Sequence, residues 1–319
     1  MDHICSPIPA AIWLQIADVF WDTNMSAASN RAYHSLGTNL PVSHQGIIKL
    51  ALVMKTGQKR EEVLQSLGTK YTTADIEALG GTVDLVARLL LMLDVGKPAR
   101  NRMWTGRAFR SWNEGTIQAF TSNIFVTQTS NRHHGIRLDT DFNARNLDAI
   151  GGLKVELTNN LFDHLEVVDI AGETTVMIFH HATFLKNQKT ALFPDGFVHE
   201  TLQTLALLFP QNKWYKESKA WYHKHRAGMA DADPSVLECG PLTMTSIDDY
   251  QFWRDGLVRL KLIFDQAKPR TLRQWWNDRR EGSQWYALWV AVGFTIFFGL
   301  VQSIEGALQV YKAYHPDSA

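Results

Sequence analysis

The stretch Gln284–Tyr314, QWYALWVAVGFTIFFGLVQSIEGALQVYKAY, decides how this chain is organised. Its twenty residues from Trp285 to Ile304 carry no charge. At 1.5 Å per residue they make about 30 Å of helix, the hydrocarbon thickness of a bilayer. A helix apolar all round belongs in lipid or inside a large soluble core, and the flanks decide for lipid. Between Arg254 and Arg280 the chain carries Arg254, Arg259, Lys261, Lys268, Arg270, Arg273, Arg279 and Arg280 against Asp255, Asp265 and Asp278. Beyond the run only Lys312 stands against Glu305 and Asp317. Basic residues stay on the cytosolic side, so the sequence predicts a single-pass anchor with a cytosolic N-terminal body and a short translocated tail. Trp275, Trp276, Trp285, Tyr286 and Trp289, together with Arg279 and Arg280, form the expected membrane-interface cluster, with amphipathic rings at headgroup depth.

Two further patterns belong to this region. Ala287, Ala291, Thr295, Gly299, Ser303 and Ala307 recur at every fourth position, a ridge of small residues that favours close helix pairing and hence a homodimer through the span. Upstream, Asp249–Pro269 places Trp253, Leu257, Leu260 and Phe264 at helical spacing with Arg and Lys elsewhere. That pattern predicts a helix lying on an anionic membrane surface.

The chain has 319 residues, 45% of them hydrophobic, which is enough for a sizeable core and excludes a disordered chain. Its 32 basic and 32 acidic residues cancel, so no global charge favours nucleic acid. One local patch, Lys97–Trp112, interleaves Arg100, Arg102, Arg107 and Arg110 with Trp104, Phe109 and Trp112; it reads as a solvated edge with inward aromatics, as a lipid-headgroup contact, or, ranked below that, as a surface that stacks nucleobases. Cys5 and Cys239 are far apart and give neither a disulfide framework nor a metal spacing, which fits a reducing compartment.

Ahead of the anchor, apolar periodicity is helical at AIWLQIADVFW, IIKLALVM and VDLVARLLLMLDVG, the last with Thr82 as expected N-cap and Gly96 as expected stop. After a polar stretch from Thr127 to Asn146 the period changes. GGLKVELT reads as a strand, NNLFDHL as one capped turn, and LEVVDI-AGE-TTVMIF as a β-hairpin. PDGFVHETLQTLALLFP then reads as an amphipathic helix closed by Pro210. The expected fold class is mainly α with a small β-hairpin or sheet (α+β), plus one C-terminal transmembrane helix. The expected divisions are a helical part over 1–130, an α+β part over 131–248, a juxtamembrane segment over 249–284, the span over 285–304 and a tail over 305–319.

Histidines supply the only candidates for chemistry. His134 and Asp139 have the His-x4-Asp spacing of glycerolipid acyltransferases, in which the carboxylate orients the imidazole as a general base. Neither double histidine is followed by the Asp that condensation-type acyltransferases need, since Leu138 and Leu185 occupy those positions. His164, His180, His181 and His199 are the candidate metal ligands, although His199-Glu200 has Gln203 where a zincin helix requires a second His. His180 and His181 fall between a strand and a helix, where polar groups serve as caps. No Gly-x-Ser-x-Gly elbow, P-loop or dinucleotide fingerprint occurs, and no cofactor is implied.

At LDAIGGLKVELTNNLFDHLEV, VMIFHHATFLKNQ, LFPDGFVHETLQTLALLFP and the block from Arg270 to Tyr314 the chain resembles a family of uncharacterised proteins of filamentous ascomycete fungi. The resemblance covers mainly the part after residue 136. It implies a fungal origin and a cytosolic body with one C-terminal span, and it lends no residue a catalytic role. The resulting expectation is a non-catalytic recognition or scaffold protein on the endoplasmic reticulum or another endomembrane, with the bilayer and an unknown protein as partners. The competing readings are a membrane-tethered enzyme, acyltransferase-like or metal-dependent, and an accessory protein of a fungal biosynthetic pathway.

Overall fold

The structure, a computed structural model, describes residues 44–72, 74–96, 110–128, 134–170, 172–188, 191–211, 215–226, 232–267 and 282–314. The first predicted helix, the Lys97–Phe109 part of the basic patch and the residues Trp275, Trp276, Arg279 and Arg280 lie outside these. The fold is mainly helical with one small sheet, as the periodicities predict. It divides into a body ending at Gln266 and a C-terminal unit beginning at Ala267.

Three helices, α1 (His44–Lys55), α2 (Arg60–Lys70) and α3 (Ile76–Leu91), open the described body. In α3 the predicted stripe holds, with Val83, Val86 and Leu90 fully buried. Its ends differ from the sequence reading. Asp75 is the N-cap and accepts from the Glu77 N–H, while Thr82 sits inside the helix and donates to the Ala78 carbonyl. The helix stops at Leu91 because Met92 takes a left-handed conformation (φ 50°). Gly96 instead serves a later close approach: at φ 86°, a Cβ there would collide with the Asp84 carboxylate, which pairs with Arg60 at 2.7 Å.

After α4 (Ile117–Ile124) and α5 (Ala144–Ala149) come the strands β1 (Lys154–Thr158), β2 (Val167–Ile170) and β3 (Glu173–Phe179). β2 and β3 form the predicted hairpin, and the pairing of Ile170 with Glu173 leaves a two-residue turn completed by Gly172 at φ 82°. β1 joins the other edge of β3 in parallel, giving the order β1-β3-β2. A parallel pair needs a crossover of a dozen or more residues; here the 3₁₀ turn Leu161–Asp163 and β2 provide it. Placed in the middle, β3 is buried over its last five residues.

Two helices depart from the predicted pattern. α7 (Phe197–Leu208), which follows the short α6 (Ala182–Lys186), is not an amphipathic surface helix: Phe197, Thr201, Thr204, Leu205, Leu207 and Leu208 are all buried, and so are Glu200 and Gln203. Beyond α8 (Tyr215–His225), α9 (Arg254–Gln266) has the predicted apolar stripe, but Leu257, Leu260 and Phe264 lie in the core of the body and not on lipid. Ring contacts join α7 to the residue just before α9, with the Phe197 and Trp253 centroids 5.6 Å apart.

The polar side chains of α7 hold what surrounds it. The Glu200 carboxylate accepts from three consecutive backbone N–H groups just before α9: Gln251 (2.9 Å), Phe252 (2.8 Å) and Trp253 (2.7 Å). These include donors that a helix start leaves without intrahelical partners. Gln203 accepts from the Thr243 and Met244 N–H groups and donates to the Pro241 carbonyl. Thr201 accepts from the Trp253 indole at 2.8 Å and donates to the Phe197 carbonyl. Removing an acceptor strands buried donors at about 1–3 kcal/mol each. Glu200→Ala is therefore expected to destabilise the full-length protein by roughly 3 kcal/mol or more, with Glu200→Gln falling between it and wild type; urea unfolding in mild detergent checks the order.

Candidate functional site

The candidate histidines fall in four separate settings. His164 follows the 3₁₀ turn and is buried between the sheet, α7 and the start of α9. Its Nδ1 accepts from the Phe179 N–H at 3.2 Å, which leaves Nε2 as the protonated nitrogen, 2.7 Å from the Thr204 hydroxyl. Thr204 passes its own hydrogen to the Thr201 carbonyl at 2.6 Å. The Trp253 ring stands edge-on to the imidazole at 4.7 Å. Burial lowers the His164 pKa to about 3.

His180 and His181 occupy the link between β3 and α6, as the sequence predicts. Both Nε2 atoms point at one oxygen, Asn159 Oδ1, at 2.8 and 2.9 Å, with the ring centroids 4.0 Å apart and the planes tilted by 37°. His180 Nδ1 accepts from the Asp233 N–H at 3.2 Å, so this imidazole also has to carry its hydrogen on Nε2. A metal-bound histidine gives the lone pair of one nitrogen to the metal and donates from the other. In His164 and His180 that lone pair already accepts a backbone N–H, and the other nitrogen bonds within the fold. Burial, followed by the neighbouring His180, lowers the His181 pKa well below the ordinary histidine range. His199 is exposed on α7, on the side away from the buried Glu200. Among the described residues no group of three or more His, Cys, Asp or Glu side chains is arranged to hold a metal ion.

At the surface, His134 meets a carboxylate other than the one its spacing suggests. Its Nδ1 lies 3.0 Å from Asp248 Oδ1, while Asp139 is exposed and contributes its backbone carbonyl to a turn with Phe142. Asp248 also accepts from the Gly135 N–H at 2.8 Å and from the buried Arg254 at 2.9 Å. The Gly135 N–H, with His134 and Arg254, holds its carboxyl below the ordinary aspartate range. The cluster ties the segment after residue 133 to the loop before α9, next to the bridge between Arg137 and Ser246. With 61% of its side chain exposed, His134 borders the surface ion pair of Asp248 and Arg254. The body's described cysteine, Cys239, is equally quiet: burial pushes its thiol up to about 12.

The remaining predicted site residues that the structure describes lie on α10 (Gly282–Tyr314), a single uninterrupted helix that extends ten residues past Ile304. Tyr286–Lys312 is long and apolar enough to cross a membrane, and none of its most apolar window is buried. Phe294, Ile296, Phe297, Phe298, Leu300 and Ile304 are each more than half exposed. Tyr286 is exposed and Trp289 half-buried, while the Trp285 side chain lies outside the described residues. Ala287, Ala291, Thr295, Gly299, Ser303 and Ala307 are exposed along the helix. Within this ridge Thr295 donates to the Ala291 carbonyl at 2.9 Å and Ser303 to the Gly299 carbonyl at 2.8 Å. Both hydroxyls are therefore satisfied by their own helix, as apolar surroundings require.

No protein family, curated protein or solved structure matches this chain. Sequence reasoning located the histidines; it weighed Glu200 only beside His199 in a metal motif and Gln203 only as the residue in place of a second His, and no local pattern marks either as the acceptor of distant backbone N–H groups.

The buried histidines make the body sensitive to acid. With a pKa of about 3 in the fold and about 6.5 unfolded, His164 binds its proton first in the unfolded chain. Its stabilising effect is complete above pH 6.5 and is lost as pH falls toward 3, at about 1.4 kcal/mol per pH unit. His181 acts in the same direction. Urea midpoints measured from pH 7 down to pH 4 are expected to fall, and His164→Gln to reduce the slope by about 1.4 kcal/mol per unit; an unchanged slope contradicts the neutral, buried assignment.

Proposed function

We propose that this protein is a non-catalytic recognition or scaffold body tethered to a membrane by α10. The observation that carries this reading is an apolar 27-residue stretch with none of its most apolar window buried. A soluble protein covers such a helix with its own core, since each fully buried Phe, Leu or Ile contributes about 1.5–3 kcal/mol. Lipid covers it here. The basic excess before the helix supports a cytosolic body, and an endomembrane is the proposed location. The histidine candidates support a non-catalytic body, because His164 and His180 bond to the fold and the exposed His134 borders the ion pair of Asp248 and Arg254.

The test is fractionation of the full-length chain expressed with a tag. It is expected to stay with membranes through an alkaline carbonate wash, and a chain ending at Arg280 is expected to move to the soluble fraction. Release of the full-length chain by carbonate, or retention of the shortened one, overturns the tether.

A further inference from the structure

The 33 residues of α10 make about 50 Å of helix, roughly 20 Å more than a bilayer's hydrocarbon. The excess lies at the distal end and is not uniform in character. Gln302, Glu305, Gln309 and Lys312 follow one another at spacings of three, four and three, so at about 100° per residue they share an arc roughly 80° wide. Ile304, Ala307, Leu308, Tyr311 and Tyr314 fall on the other side, in an arc of about 120°. All nine are exposed. The proximal part, from Tyr286 to Val301, has no such division: its exposed residues are apolar or small in every direction.

We propose that α10 crosses the membrane tilted, and that its distal third, from Gln302 to Tyr314, docks its apolar arc on lipid at the far-leaflet interface while the arc of Gln302, Glu305, Gln309 and Lys312 faces water. This rests on the reading of α10 as a membrane span. A perpendicular helix leaving the hydrocarbon at Ile304 lifts ten residues about 15 Å into water and leaves Leu308, Tyr311 and Tyr314 bare, with exposures of 54%, 63% and 81%. A helix sunk in lipid to its end buries Glu305 and Lys312, which is strongly unfavourable. Tilt avoids both, because an obliquely emerging helix has one side against lipid and one against water. No proline interrupts α10, so the whole element tilts together.

Spin-label accessibility tests this. Single cysteines are placed from position 288 to 312 in the full-length chain carrying Cys5→Ser and Cys239→Ala, reconstituted in phosphatidylcholine vesicles with phosphatidylserine. Labels at 304, 307, 308 and 311 are expected to be severalfold more accessible to oxygen than to a water-soluble nickel chelate, and those at 302, 305, 309 and 312 the reverse. Nickel access at every position past 304 overturns the docking, and shielding of the apolar arc from both reagents assigns it to a second copy instead. Nickel access throughout 288–300 is a different failure, because it removes the span itself.

Discussion

The Glu200 carboxylate accepts the N–H groups of Gln251, Phe252 and Trp253 where α9 begins, so that helix starts where α7 has already placed a side chain. The remaining contacts of α7 follow from this one. Trp253 is brought over Thr201 and against His164, His164 is fixed between Thr204 and the end of β3, and Gln203 takes up the loop before the segment that Glu200 binds. Burial pushes the Glu200 carboxyl above the ordinary glutamate range, against the pull of the three N–H donors. A buried polar group is tolerated only when its hydrogen bonds are made. The polar row on α7 therefore fixes how the sheet, α7 and α9 meet, and an apolar row of the same size has no means of specifying those partners.

The elements that were legible in the sequence are those whose pattern is local. The β2–β3 hairpin follows from β-branched runs around a glycine turn, the 3₁₀ turn from Asn160 capping the Phe162 N–H, and the α3 stripe from its own periodicity. The parallel placement of β1 is not local: only the buried run in β3 marks it as the central strand, and a short apolar run is equally the mark of a buried helix segment. The ends of α3 were misread for a related reason. Thr82 is a good cap by type, but Gly80 and Gly81 did not stop a helix already started at Asp75, and Met92 rather than a glycine took the left-handed position that ends it.

The histidine pairs show the same limit at the level of sites. Spacing matched His134 to Asp139, whereas folding brought up Asp248 from 114 residues away. What decides the state of a histidine is the atom that meets its second nitrogen, and for His164 and His180 that atom is a backbone N–H from a different element. No residue pattern announces such a donor. The consequence is chemical as well as structural, since an imidazole whose Nδ1 is already accepting carries its hydrogen on Nε2 and offers a ligand or substrate no free lone pair.

α9 and α10 separate two kinds of amphipathicity that look alike in sequence. A stripe of Trp253, Leu257, Leu260 and Phe264 bordered by basic residues suits a lipid surface and a protein core equally well, because both ask for one apolar side and one wet side. In α9 the core claims that side, and Lys261, reaching Asp265 at 2.7 Å, stays at the rim. The proximal two-thirds of α10 has no wet side, which no position on the surface of a soluble body satisfies. Its distal third regains one, and it does so without a break in the helix, so the change from uniform to divided surroundings takes place along a single rigid rod. On the proposed tether, that change marks a boundary of the solvent rather than of the fold. The body then answers to hydrogen-bond completeness around α7, and the proposed span to the depth profile of lipid.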